Sequence, residues 1–130
     1  MAKTPLTVFV IDDDESVRKA LRRLIQSAGM TARTFASAEG FLDTELPPPD
    51  CLILDVRMPG GLGGLELQQR LAREGPRIPI VFITAHEDAQ TRDSALAAGA
   101  VAFLHKPFDD QALLDAVARA TEQRQGNRSR

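Results

Sequence analysis

Short apolar runs alternate along the chain with longer segments whose apolar residues recur at helical spacing. The runs lie at Leu6–Ile11, Cys51–Val56, Ile80–Ile83 and Val101–Leu104, with a more polar one at Thr31–Phe35. Continuous apolar strands are typical of a parallel sheet that helices cover on both faces. The polar run suits an edge strand, which keeps contact with water. The pattern therefore predicts five strands, one of them at an edge.

The segments between these runs predict five helices. Apolar spacing and helix-ending residues place them at about 17–28, from 38 to before the prolines 47–49, at about 65–72, at 88–98 and from about 110 onward. Gly29 stands where a helix C-terminus favours glycine, and Pro76 follows the third segment. Strands that alternate with helices, joined by right-handed crossovers, predict a doubly wound α/β domain with a five-stranded parallel sheet.

Composition narrows the class of protein. The 130 residues are 43% hydrophobic and carry 16 Lys+Arg against 18 Asp+Glu, a formal net charge of −2. This length fits one domain. The near-balanced charge argues against a surface that coats nucleic acid, because binding of the nucleic-acid backbone usually shows as a strong basic excess. We predict a domain over 1–123, and a tail at 124–130 that is a frayed end or the start of a linker.

The location of the protein follows from two further features. Cys51 is the one cysteine, so no internal disulfide can form, which fits a reducing compartment. The apolar stretch near the start, Leu6–Ile11, is too short for a signal peptide core or a membrane span. We therefore expect a cytoplasmic protein without a membrane anchor.

Polar side chains stand at the carboxyl ends of the predicted strands. Asp12 and Asp13 follow the first strand, and the others are Asp55 on the third, Thr84 on the fourth and Lys106 after the fifth. Ligands of an open parallel sheet bind at this edge, so these groups converge if their strands are neighbours. Clustered carboxylates need a cation, and oxygen ligands favour Mg²⁺, with Mn²⁺ as an alternative. An aspartate beside such an ion can attack phosphorus, while an ammonium and a hydroxyl stabilise the transferred group.

Each of these residues taken alone has a simpler interpretation. Asp14 and Glu15 are better explained as helix-capping or solvated residues than as ligands. His86 is better explained as an exposed loop residue than as a metal ligand, because no ligand spacing accompanies it. Cys51 fits inert core packing. The joint pattern, with one polar group at each strand end, favours the functional interpretation for the acidic set.

Four segments in order make the chain resemble a known family. They are Val8–Asp14, Leu52–Pro59, Ile80–Ala85 and Phe103–Phe108. The chain resembles a bacterial response-regulator receiver domain, in particular the FixJ/NarL-type subgroup, over roughly residues 5–123. The resemblance implies a flavodoxin-like fold with strand order 2-1-3-4-5.

The resemblance also implies roles for the acidic residues. Asp55 would accept a phosphoryl group from a sensor histidine kinase. Asp12 and Asp13 would bind Mg²⁺ together with Asp55, and the backbone carbonyl of Arg57 would complete the metal shell. The reactions at this site would be self-phosphorylation and autodephosphorylation only, so the protein would not be an enzyme in the ordinary sense.

Further roles are implied for residues around the acids. Thr84 would be the switch hydroxyl, Phe103 the switch aromatic, and Lys106 the partner of a phosphoryl oxygen. Arg57 and His86 match positions that tune the rate at which the phosphoryl group is lost. The Lys106–Pro107 peptide bond would be cis.

The sequence departs from the family pattern in two places. Gly60–Gly64 forms a glycine-rich turn that is one residue longer than usual, and such a loop is flexible and permits close backbone approach. It either alters access to Asp55 or relaxes the entry to the third helix; the second interpretation is favoured because loops tolerate insertions. Phe103 stands where a tyrosine is common, so a rotamer switch there would depend on packing alone.

The predicted function is a phosphorylation-activated signalling switch. Phosphorylation would rearrange the face formed by the fourth helix, fifth strand and fifth helix, control homodimerisation and act on a C-terminal DNA-binding domain absent from this chain. A free-standing receiver that acts by protein contact is the alternative.

A Mg²⁺-dependent phosphatase is disfavoured because Arg57 stands where a second aspartate is needed. A nucleotide- or flavin-binding protein is disfavoured because this sequence has no glycine-rich phosphate-binding motif after a strand. An inactive interaction module is disfavoured because the polar residues at the strand ends are all present.

Overall fold

Five parallel strands form one sheet in the computed structural model, which describes residues 5–86 and 88–128. The strands are β1 Thr7–Ile11, β2 Thr31–Phe35, β3 Cys51–Asp55, β4 Ile80–Thr84 and β5 Ala102–His105. All neighbours pair in parallel, in the order β2-β1-β3-β4-β5. The predicted fold class and strand order are confirmed. The predicted edge strand, β2, exposes Thr31 and Arg33 on one side of its backbone.

Five helices connect and follow the strands. They are α1 Glu15–Ser27, α2 Ala38–Leu42, α3 Gly64–Glu74, α4 Ala89–Ala97 and α5 Asp110–Arg128. α2 ends at Leu42, well before the prolines that were expected to end it, because its last buried side chain is Phe41 and polar residues follow. Among the described residues, no helix is long and apolar enough to cross a bilayer.

The C-terminal segment continues α5 past the predicted end of the domain. A frayed end or the start of a linker was expected from residue 124, and α5 extends to Arg128. One reason is a tertiary contact, since Arg124 lies 3.4 Å from the Asp50 carboxylate and is thereby held against the domain. Residues 129–130 of the predicted tail lie outside the described residues, and the boundary at residue 123 stays a prediction.

The core has two layers, one on each face of the sheet. α1 and α5 cover one face with apolar side chains that include Leu21, Ile25, Leu113 and Val117. α2, α3 and α4 cover the other face with a set that includes Phe41, Leu67, Leu71 and Ala95. Cys51 is fully buried in the first layer, where burial raises the pKa of its thiol, as expected for an inert core residue. Both faces of the central strands are therefore covered, and polar groups gather at the strand ends.

Helix caps fix where the chain leaves that edge of the sheet. The Asp14 carboxylate accepts a hydrogen bond from the Ser16 N–H at 2.8 Å, so Asp14 caps α1 as predicted. Ser37 caps α2 through the Gly40 N–H, and Asp88 caps α4. Glu15 is exposed and lies 3.1 Å from Lys19, one turn along α1.

Candidate functional site

The register of the sheet brings three aspartates together. Ile11 of β1 pairs with Leu54 of β3, so the next residues, Asp12 and Asp55, end neighbouring strands. Carboxylate oxygens of Asp12, Asp13 and Asp55 all lie within 4.8 Å of one another. Asp12 and Asp55 are buried, whereas Asp13 is exposed. The structure thus unites the acidic set that the strand ends predicted.

Lys106 supplies a positive charge to this cluster. β5 pairs with β4 and ends at His105, so the chain delivers Lys106 to the same edge. Its Nζ atom lies 2.8 Å from Asp12 Oδ2 and 3.8 Å from Asp55 Oδ2. The bond to Asp12 is also a hydrogen bond, with the ammonium donating. Lys106 therefore partly neutralises both buried acids.

The compensation is incomplete, because the pKa of Asp55 is raised to about 6. Burial of the carboxyl group is the largest cause, and the negative charge of Asp12 is the second. Lys106 and the Arg57 N–H, 3.4 Å from Asp55 Oδ1, act in the opposite direction. A second cation beside Asp12 and Asp55 would therefore relieve an unfavourable arrangement of charge.

The main chain fixes the position of Asp12. Its Oδ1 accepts the Asp14 N–H at 2.9 Å, and its own N–H donates to the Phe35 carbonyl at 3.1 Å. The Arg18 guanidinium donates to the Asp12 carbonyl oxygen at 2.8 Å. Arg18 was missed from the sequence, although its place one turn into α1 points it back toward the strand end.

The donor set suits a hard divalent cation. Three carboxylates within 4.8 Å offer oxygen ligands only, and one of them is open to solvent, which leaves room for water in the coordination shell. The arrangement fits Mg²⁺ held by Asp12, Asp13 and Asp55. The role of the Arg57 carbonyl in this shell stays a prediction.

Thr84 and Phe103 lie on the adjacent strands β4 and β5, and Thr84 ends its strand at the same edge as Asp55. The buried Thr84 hydroxyl accepts the His86 N–H at 3.0 Å and donates to the His86 carbonyl at 3.3 Å. Phe103 is half-buried, with its ring centroid 6.1 Å from that of Phe82. His86 is exposed, as expected of a loop residue. The Lys106–Pro107 bond is cis, as the resemblance implied.

The glycine-rich segment Gly60–Gly64 returns to the acidic cluster. A side chain on Gly64 would overlap the Asp55 carbonyl oxygen, and the Gly64 N–H donates to the Val56 carbonyl at 3.0 Å. In its middle, the Leu62 N–H donates to the Glu39 carboxylate at 2.7 Å. Glu39 was not recognised from the sequence, since this contact joins residues 23 positions apart. The packing of Gly64 against Asp55 is the close backbone approach that the glycine-rich turn was expected to permit, and the flexibility of the loop stays a prediction.

Comparison with known proteins agrees with this geometry. Residues 8–118 match the response regulator receiver domain family. The chain belongs to this family. Receiver domains of response regulators are phosphorylation-dependent signalling switches, so the predicted functional class is confirmed.

Individual relatives support the subgroup as well. The chain is 49% identical over 122 residues to Nodulation protein W of Bradyrhizobium diazoefficiens, covering 93% of this chain and 53% of that protein. It is 47% identical to the transcriptional regulatory protein TdiR of Thauera aromatica, over 88% of this chain and 50% of the relative. Proteins named FixJ are also among the relatives, so the predicted FixJ/NarL-type subgroup is confirmed.

A solved structure shows the same fold. The response regulator StyR superposes with a TM-score of 0.88 at 48% identity, covering 97% of this chain and 64% of that one. The receiver chain spans about half the length of the curated relatives it matches.

Proposed function

We propose that this receiver domain accepts a phosphoryl group on Asp55 from a sensor histidine kinase and passes the change to an output partner. One observation carries the proposal: the Asp55 carboxylate stands with Asp12 and Asp13 within 4.8 Å and with Lys106 Nζ at 3.8 Å. This arrangement combines a nucleophilic oxygen with a place for a cation and a fixed ammonium.

The transfer is a single displacement at phosphorus. An oxygen of Asp55 forms a bond to the phosphorus of a phosphohistidine as the phosphorus–nitrogen bond breaks. The bonding electrons pass to the imidazole, which takes up a proton from solvent. Lys106 pairs with a phosphoryl oxygen, and the Arg57 N–H faces the carboxylate. Bound Mg²⁺ supplies neutralising charge to the transferred group.

The site also allows hydrolysis of the aspartyl phosphate. Attack of a water oxygen on phosphorus breaks the bond to Asp55, releases inorganic phosphate and restores the carboxylate. The cycle is limited to self-phosphorylation and autodephosphorylation. Arg57 and His86 are the proposed rate-tuning residues: both are exposed, the Arg57 N–H faces Asp55, and His86 is hydrogen-bonded to Thr84 through its main chain.

The readout uses Thr84 and Phe103. The Thr84 hydroxyl exchanges its bonds to His86 for a phosphoryl oxygen, and Phe103 moves into the space that is released. Because Phe103 packs in the same layer as Ala95 of α4, this rearrangement reaches the face of α4, β5 and α5. A homodimer through that face is the proposed consequence.

The output is proposed from the relatives. TdiR is named a transcriptional regulatory protein and is about twice as long as the region matched here. We infer that a C-terminal DNA-binding domain is the target of the switch, with a free-standing receiver as the alternative. A cytoplasmic location, as the kinase partnership requires, belongs to the same proposal.

Phosphoryl transfer to Asp55 is tested by mass spectrometry after incubation with Mg²⁺ and a small acyl phosphate. The wild-type chain should gain one phosphoryl group and the Asp55→Asn variant none. Asp93→Asn, which alters an exposed aspartate on α4, should label like wild type. Equal labelling of wild type and Asp55→Asn would show that the acceptor lies elsewhere.

The cation site is tested by calorimetric titration with Mg²⁺. Asp13→Ala should weaken binding by about tenfold, because one of three carboxylate ligands is removed. Asp93→Ala should leave the affinity unchanged. If Asp13→Ala bound Mg²⁺ as wild type does, Asp13 would not be a ligand.

Dimerisation is tested by light scattering with a stable phosphate mimic. The mimic should raise the molar mass toward that of a dimer in wild type and leave Asp55→Asn monomeric. A monomeric mass in the presence of the mimic would contradict the proposed dimer.

A further inference from the structure

The Glu39 side chain reaches from α2 to the middle of the glycine-rich loop. Its Oε2 accepts the Leu62 N–H at 2.7 Å, a short bond between an ionised acceptor and a main-chain donor. The hydrogen bond from the Leu62 N–H holds the pKa of the Glu39 carboxyl below its ordinary value. Ser37 caps α2 and so fixes the first turn of the helix, on which Glu39 lies.

The residues of the loop are matched to this contact. A Cβ atom on Gly61 would lie 2.9 Å from one Glu39 carboxylate oxygen and 3.0 Å from the other. Gly60 has a φ of 91°, which L side chains rarely adopt. Any larger residue at 61 would therefore push the carboxylate away from the Leu62 N–H.

Both ends of the loop touch the phosphoryl acceptor. At the start, the Arg57 N–H faces Asp55 Oδ1 at 3.4 Å. At the end, Gly64 packs directly on the Asp55 carbonyl oxygen. A shift of the loop therefore moves the Arg57 N–H, which faces the Asp55 carboxylate. It also moves the main chain of Asp55, on which Gly64 packs.

We propose that Glu39 is a positioning residue for phosphoryl transfer at Asp55, an inference that rests on the function proposed above. Glu39 acts through the loop: its bond to Leu62 holds the segment from Arg57 to Gly64 in the arrangement that aligns the Arg57 N–H with Asp55. Without this bond the loop samples other arrangements, and a smaller fraction of molecules is ready to react.

The first experiment follows phosphorylation of the 130-residue chain by a small acyl phosphate with Mg²⁺. Glu39→Ala should lower the rate at saturating donor about threefold, the effect of losing one positioning hydrogen bond, with the half-saturating donor concentration unchanged. Glu39→Gln keeps a carbonyl acceptor and should recover most of the rate. Glu45→Ala, an exposed glutamate past the end of α2, is the matched control.

The second experiment is a double-mutant cycle with Gly61→Ala. The φ of Gly61 is not positive, so alanine fits the backbone and acts through its Cβ contact with Glu39. Gly61→Ala alone should slow phosphorylation about as much as Glu39→Ala, about threefold. In the Glu39→Ala background it should add little, because the contact is already lost.

Urea denaturation separates positioning from structural damage. Glu39 is exposed, so the midpoint of Glu39→Ala should stay at the wild-type value while its rate falls. Equal rates in labelled wild type and Glu39→Ala, or a Glu39→Gln variant as slow as Glu39→Ala, would overturn the positioning role alone. Absence of label on wild type as well as on the variants would overturn the proposed function and this inference with it.

Discussion

Asp55 carries an electrostatic cost that its surroundings do not remove. The carboxyl is buried beside Asp12, and its pKa is raised to about 6 although Lys106 lies near. Since the folded-state pKa exceeds the ordinary value of 3.8, the folded protein binds the proton more tightly than the unfolded chain does. The contribution of Asp55 to stability is therefore fully favourable below about pH 4 and is lost as pH rises through about 6.

Removal of this charge should stabilise the ion-free protein. Asp55→Asn should raise the free energy of unfolding at pH 7 by about 1–3 kcal/mol, because each pKa unit corresponds to about 1.4 kcal/mol. Urea denaturation at several pH values checks this: the gain should shrink as pH falls from 7 to 4. Asp93→Asn should give no gain, and the same result for both variants would contradict the explanation.

Gly64 is the residue at which local packing is tightest. A Cβ there would overlap the Asp55 carbonyl oxygen and lie 3.0 Å from the Val56 Cα, both main-chain atoms that cannot swing aside. Gly64→Ala should therefore lower the free energy of unfolding by about 2–4 kcal/mol. Thermal denaturation measures the loss. Gly40→Ala, whose Cβ would meet only the Ser37 hydroxyl at 3.4 Å, should change stability by less than about 1 kcal/mol.

Among the described residues, α4 is the helix with the fewest buried side chains. Ala95 is its single buried residue, and the buried Gln68 amide of α3 donates to the Ala95 carbonyl at 3.0 Å. At its start, the Asp88 carboxylate accepts the N–H groups of Gln90 and Thr91 and the Thr91 hydroxyl. Caps and one polar bridge thus replace an apolar face, which suits a helix that shifts between two arrangements.

Loss of the α4 cap should loosen that helix selectively. Asp88→Ala should speed amide hydrogen exchange in α4 about fivefold and leave α1 unchanged, because the cap acts on the first turn. The hydrogen bonds from Thr91 lower the pKa of Asp88, so its charge persists at neutral pH and is lost only below the ordinary value of 3.8. The difference from wild type should therefore shrink in acid. If Asp93→Ala increased the exchange rate in α4 as much as Asp88→Ala does, the cap would have no specific role.

On the scale of the whole molecule, the carboxyl ends and the amino ends of the strands carry different groups of residues. The carboxyl edge holds the acidic cluster. At the amino edge, Asp50 accepts the Thr7 N–H at 2.9 Å and lies 3.4 Å from Arg124, whose guanidinium also donates to the Arg77 carbonyl at 3.0 Å. An open cavity of about 670 Å³ lies at this edge beside Arg77 and Arg124, far from the acids in the fold. These contacts hold the C-terminal part of α5 against the amino edge of the sheet.

Arg124 should therefore contribute to the stability of the whole domain. Arg124→Ala should lower the free energy of unfolding by about 1–2 kcal/mol, because a partly buried ion pair and a hydrogen bond are lost together. Arg119→Ala, an exposed arginine on the same helix, is the control and should change it by less than about 0.5 kcal/mol. Chemical denaturation compares the two. Equal losses would show that the contact with Asp50 adds nothing.

The sequence was sufficient for features that depend on neighbouring residues. The apolar runs predicted each strand to within a residue or two, and Asp14 was correctly predicted as a cap. The acids at the strand ends were correctly brought together, because parallel strands share an edge. Two long-range contacts were missed, that of Glu39 with Leu62 and that of Arg124 with Asp50. Each joins positions that only tertiary packing brings together.

The pairing of Ile11 with Leu54 has a consequence for which changes in length the chain can accept. Deletion of one residue within β3 would turn its side chains to the opposite faces and separate Asp55 from Asp12 in the same step. Insertions are restricted in the same way at Gly60–Gly64, which must return to the Asp55 carbonyl. The turn at 45–48, at the opposite edge, is exposed, so a peptide tag inserted there should leave both the core and the acidic cluster intact.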